Sequence, residues 1–223
     1  SGNYFLVLVF IIVVPVISLI VWSFLNKRSG SDFYHSIPYT RLCIYLSKTA
    51  AILTWIAGIL VVSYVSQAVL FMANRQYFNV DYATMFRMYL SIFICSLLCM
   101  AIINVSISIT GNILSNICVT GLIMFLPRFI MLMVTELTVF HGEAYMISNS
   151  GVGLLDSSSN MIVGWVFSVF DMYNGSSGIA DMVLSLTSNL YTLVLALIYI
   201  ALGALLFVKR KSETAGKAAN GKV

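Results

Sequence analysis

Charge is scarce in this sequence: 9% of its 223 residues are Asp, Glu, Lys or Arg, where a soluble domain carries roughly a quarter. So few charges cannot cover a water-facing surface of this size, and with 60% hydrophobic residues the apolar side chains must face lipid as well as one another. Histidine is reduced to His35 and His141, and without an HExxH pattern metal-dependent hydrolysis has no support. No GxxxxGK[ST] run is present to cradle phosphates, so ATP-driven work would fall to a partner. The four cysteines, Cys43, Cys95, Cys99 and Cys118, form no CxxC pair and read as small buried side chains. Cys95 and Cys99 stand one helical turn apart and share a face. Aspartates fall only in expected loops or short interfacial segments, which removes the facing carboxylates an intramembrane aspartyl protease needs. His141-Gly142-Glu143 brings an imidazole near a carboxylate, but just beyond a helix, where solvated polar residues are common. The chain is therefore expected not to be an enzyme and to hold no cofactor or metal.

What is present is a series of long apolar runs. Residues 4–25 are apolar and free of charge, a little longer than the ~20 residues that cross a bilayer core; Pro15 near the middle removes a backbone donor and would kink a helix there. A second run covers 49–72. Between Arg87 and Arg128 lie 40 uncharged residues, at ~1.5 Å per helical residue about twice the core thickness. Two crossings are expected there, at 86–109 and 113–135, joined at Thr110-Gly111-Asn112, whose Gly and Asn tolerate the angles of a reversal. A last run, 190–208, ends at Lys209-Arg210-Lys211. The intervening loop 136–189 holds one strongly apolar patch, 161–172; as a helix it reaches ~18 Å, too short to cross, and is expected to be re-entrant or interfacial. The fold class is thus all-α: a polytopic integral membrane protein of one domain with five transmembrane helices.

Orientation follows from basic residues, which accumulate in cytoplasmic loops near membrane ends. Loop 26–48 and tail 209–223 share a side when five segments cross, and together they hold nine of the twelve Lys and Arg residues. That side carries +7, and the opposite side with its helix ends −3, which recovers the net +4. The basic excess reflects topology, not nucleic-acid binding, and the tail cluster suits anionic headgroups of membrane lipids. The chain is expected in a cell membrane, multi-pass, with its C-terminus cytoplasmic. Ser1-Gly2-Asn3 has neither an initiating Met nor a basic leader, so the chain reads as beginning inside a larger protein.

Loop 26–48 is the most informative segment. Ser31 is placed to cap a two-turn helix starting at Asp32 and ended by Pro38, exposing Phe33, Tyr34 and Ile37 on one face. Such a helix either rests on headgroups or docks a protein. The order Asp32-Phe33-Tyr34-His35-Ser36-Ile37-Pro38-Tyr39-Thr40-Arg41, then Tyr45-Leu46-Ser47-Lys48, resembles the loop after the second helix of bacterial ABC exporter permeases of the type-2 (ABC-2-like) class. The hairpin at Thr110-Gly111-Asn112, the Leu126-Pro127 step and the Lys209-Arg210-Lys211-Ser212-Glu213-Thr214-Ala215-Gly216-Lys217 tail extend the resemblance over nearly the whole chain.

The resemblance implies that the five segments are the second to sixth helices of a six-helix unit whose first helix is missing. It further implies a coupling helix that docks a separate ABC ATPase through Asp32, Phe33, Tyr34, His35, Ser36, Ile37, Pro38 and Arg41, a short outer helix at 161–172, and a second permease copy or half as partner. Arg128, the charge that falls within an apolar helix, is expected either to snorkel to the outer interface or to line the translocation path. Asn104, Asn112 and Asn116 are expected to form interhelical hydrogen bonds near the inner helix ends. The function so implied is the permease subunit of an ATP-driven exporter. An energy-independent carrier and a membrane sensor using the same docking helix are the competing readings.

Overall fold

The computed structural model describes residues 3–26, 39–76, 81–140 and 186–210. Their regular structure is entirely helical: α1 (Asn3–Trp22), followed by a 3-10 turn (Ser23–Asn26), α2 (Arg41–Ala73), α3 (Tyr82–Ile109), α4 (Ile113–Phe140) and α5 (Leu186–Lys209). Pro15 lies inside α1, which continues as one helix through it. The expected helix at 32–37 and the expected short helix at 161–172 lie outside the described residues.

Capping decides where the helices begin and end. Thr40, in an extended conformation, accepts the Cys43 amide at 3.4 Å and starts α2 eight residues before the apolar run at 49. Arg41 and Lys48, expected in a loop, therefore lie in the first two turns of a helix. A helix persists into polar sequence until a cap stops it, whereas an apolar run marks only the stretch suited to lipid. Asp81 caps α3 by accepting the Ala83 amide at 3.0 Å and the Thr84 hydroxyl at 2.6 Å. At its other end Thr110 turns extended, its amide and hydroxyl both donating to Ser106 O at 3.0 and 2.9 Å. Gly111 and Asn112 complete the reversal, and α4 opens with the Asn116 amide on Asn112 O at 2.9 Å.

Among the described residues three helical stretches are long and apolar enough to cross a membrane: Arg41–Ala73, Tyr82–Ile109 and Asn189–Lys209. They are not equivalent. The apolar window of α3 is 89% buried, against 11% for α2 and 22% for α5, so α3 is the axis of the bundle and touches α1, α2, α4 and α5. Its neighbours each turn one stripe inward. On α1 this is Phe10, Val14, Ser18 and Trp22; on α2 it is Tyr45, Thr49, Ile52, Ile56 and Leu60. On α5, Thr192, Ala196, Gly203 and Phe207 are the fully buried positions. These spacings of three and four residues trace one face of a helix. Small residues on α5 let its backbone approach α3 closely, the usual basis of helix packing in lipid, where apolar burial itself gives little preference for protein over acyl chains.

The outward faces carry Trp55, Val61, Val62, Val65, Val69 and Leu70 on α2 and Leu190, Val194, Leu197, Ile198 and Leu205 on α5, all exposed. Apolar surface of this extent suits a membrane and not water.

Candidate functional site

The C-terminal ends of α1, α3 and α5 and the N-terminal ends of α2 and α4 meet at one end of the bundle. Three aromatic rings form its centre. Trp22 of α1, Tyr45 of α2 and Phe207 of α5 stand with ring centroids 5.5–5.6 Å apart in every pair, each within 1% of complete burial. Tilted and edge-on geometries of this kind suit ring quadrupoles. Phe24 stacks beside Trp22 at 6.0 Å, and Lys48 lies over the Phe24 ring at 5.4 Å, a cation–π contact.

Around the rings runs a set of polar links between helices. Tyr45 Oη donates to Ile200 O of α5 at 3.0 Å. Asn104 Nδ2 of α3 donates to Thr49 Oγ1 of α2 at 3.2 Å. Ser108 Oγ of α3 reaches its own Asn104 O at 2.7 Å and Gly203 O of α5 at 3.2 Å. Ser106 Oγ donates to Asn116 O of α4 at 2.8 Å, and Thr120 Oγ1 to Asn116 Oδ1 at 3.2 Å. Every one of these links ties two helices or holds a residue that does. Gly203 makes the closest approach: a Cβ there would stand 2.5 Å from Tyr45 Oη.

Two arginines complete this end. Arg41 Nη1 donates to Val208 O at 3.2 Å and to Arg210 O at 2.6 Å, the carbonyls with which α5 runs out. The guanidinium of Arg210 is buried and donates to Ile107 O in the last turn of α3. Burial lowers its pKa to about 10, which leaves it charged at neutral pH. Terminal helix carbonyls lack intrahelical partners and carry the negative end of the dipole, so a guanidinium is the natural complement.

Of the residues the sequence singles out, Asp32 to Pro38 lie outside the described residues, and Arg128 lies within α4, its side chain outside them. Arg41 is placed, and its guanidinium holds the end of α5. Asn104 makes an interhelical bond and Asn116 a contact across the hairpin, while Asn112 supplies the turn. Arg210, in the sequence one of the headgroup-facing tail cations, turns inward. Tyr45, Trp22, Phe207, Ser108 and Gly203 are not recognisable as a site from the sequence. Their spacing along separate helices carries no common signal, and only packing brings them together.

The far end of α2 meets the start of α3 in a second aromatic group. Tyr64 stands edge-on to Tyr89 at 5.3 Å and to Phe86 at 6.3 Å, and Tyr89 Oη donates to Gln67 Oε1 at 2.8 Å. Among the described residues no group of three His, Cys, Asp or Glu side chains is placed to hold a metal ion. The junction at the first end joins helix ends through buried hydrogen bonds and ring contacts. Comparison with protein-family models, with curated proteins and with solved structures finds no match to this chain.

Proposed function

We propose that this chain is the membrane-spanning permease subunit of an ATP-driven ABC exporter of the bacterial cell membrane. Five helices cross the bilayer, loop 26–48 and the C-terminus lie in the cytoplasm, and a separate ATPase docks on the segment 32–38. ATP binding draws the ATPase subunits together, and the docked segment passes that movement to α1 and α2. The substrate moves outward or is extracted from the bilayer between this subunit and a second copy or half.

The observation that carries the reading is the placement of Arg41. The last residue of the proposed docking set, it is bonded to the end of α5, in a junction where the ends of five helices meet with alternating direction. The start of α2 and the end of α5 thus lie together at one end of the bundle, which supports the reading that the basic segments flanking them share a side. The sequence at Phe33, Tyr34 and Ile37 supports the choice of partner: spaced by one, three and four residues, these side chains would share a face if the segment is helical, and such a face suits a groove on a soluble ATPase.

The test is co-purification. Phe33→Asp and Ile37→Asp together should abolish recovery of the ATPase with this chain and end nucleotide-dependent transport in vesicles, with the fold of the membrane helices retained. Unchanged pairing and transport would refute the docking assignment.

A further inference from the structure

Two arginines link three helix ends in series. Arg41 grips the carbonyls of Val208 and Arg210, and the side chain of Arg210 grips the carbonyl of Ile107. The order matters: Arg41 holds the backbone of the residue whose guanidinium holds α3. Four residues further along α2, Tyr45 Oη holds Ile200 O, so the first two turns of α2 grip α5 at two levels. Rotation or withdrawal of this end of α2 therefore cannot leave the end of α5 in place, and displacement of Arg210 carries the end of α3 with it.

We infer that Arg41 is a positioning residue of the export cycle, the link through which movement of the start of α2 reaches α5 and then α3. The inference rests on the exporter reading and extends it by naming the route from the start of α2 into the bundle. Hydrogen bonds from a charged guanidinium to terminal carbonyls are short-range and directional. Such a link transmits a displacement of a few ångströms or breaks. Both carbonyls are met by the one nitrogen Nη1, held there by a planar, permanently charged guanidinium that a lysine ammonium replaces only as a point charge.

The experiment has two arms, both on the full chain in lipid nanodiscs. In the first, amide exchange is followed in Arg41→Met, Arg41→Lys and Arg210→Met. Arg41→Met should speed exchange on the order of tenfold in the last turns of both α5 (206–210) and α3 (106–110), the size expected when a charged hydrogen bond to a helix end is lost. Arg210→Met should do so at the end of α3 alone, and Arg41→Lys should fall between Arg41→Met and the unaltered chain. An unchanged end of α3 in Arg41→Met overturns the series.

In the second arm the chain is bound to its ATPase. Arg210→Met, which breaks the second link and alters no residue of the docking set, should leave the ATPase bound and hydrolysing while transport falls about tenfold. Loss of ATPase binding in Arg41→Met with unaltered exchange would show that Arg41 contacts the partner directly and overturn the inference. Full transport by Arg41→Met or Arg210→Met with a hydrolysing partner overturns this route alone. An unaltered chain that binds no nucleotide-hydrolysing partner overturns the exporter reading and the route with it.

Discussion

Gly203→Ala tests the junction through its closest contact. The added Cβ would meet Tyr45 Oη at 2.5 Å, Tyr45 Cζ at 3.4 Å and Val105 N at 3.5 Å, where ordinary contact begins at 3.4 Å. Only the hydroxyl is in the way, and it must withdraw by about 0.9 Å, the difference between 3.4 and 2.5. The ring has little room to do so, since it is completely buried and flanked by Trp22 and Phe207 at 5.6 Å. Withdrawal stretches the 3.0 Å bond to Ile200 O past hydrogen-bonding range. Leaving a buried donor unpaired costs about 1–3 kcal/mol, and alanine returns up to ~1 kcal/mol in helix propensity. The net loss is about 1–2 kcal/mol.

With Tyr45→Phe the obstructing atom is gone, and that change alone costs roughly 0.6 kcal/mol, the average for one interhelical hydrogen bond in a membrane. Gly203→Ala added to the Tyr45→Phe variant should then keep only the propensity gain of up to ~1 kcal/mol, giving a coupling of about 1–3 kcal/mol, the cost of the unpaired donor. Reversible unfolding in mixed micelles, measured for the four members of the cycle, reads it directly. Additivity to within ~0.5 kcal/mol would refute the close approach of α2 and α5.

Asp81 is held below the usual carboxylate range, first by the Thr84 hydroxyl and then by the Ala83 amide. Its cap therefore supports the start of α3 above the ordinary carboxylate pKa and is lost as pH falls through the lowered value. Protection of the 82–84 amides, taken relative to their intrinsic exchange at each pH, should fall on acidification, and Asp81→Asn should remove that change in protection; persistence of it in the variant would assign the effect to another group. Cys95 and Cys99 are buried in the central helix while Cys43 is exposed near its helix start. N-ethylmaleimide should modify Cys43 in intact membranes and reach Cys95 and Cys99 only after denaturation. Rapid labelling of either of these two would contradict the central position of α3.

Much of the helical layout is legible in the amino-acid order. Turn chemistry places the break at Thr110-Gly111-Asn112 in a stretch too long for one crossing, and α3 ends at Ile109 and α4 begins at Ile113. Helix ends are less so, because Thr40 and Asp81 act through side-chain bonds to amides two or three residues on, outside the apolar runs by which hydropathy is read. The proposed docking residues Asp32 to Pro38 are visible as a motif alone, and of the docking set the described residues include Arg41.

The amino-acid sequence determined an all-helical chain with too little charge for a water-facing surface, because composition and the length of apolar runs depend on no long-range contact. Tertiary structure decided which helix is central and what the junction contains. Helices apolar on every side present no preferred face, and lipid and protein are equally apolar neighbours for them. The choice is left to close fits and buried hydrogen bonds: Gly203 under Tyr45, Ser108 on Gly203 O, and Asn104 on Thr49. Arg210 shows the same division. Its charge marks the end of a membrane segment, and only the neighbouring carbonyl of Ile107 turns it inward.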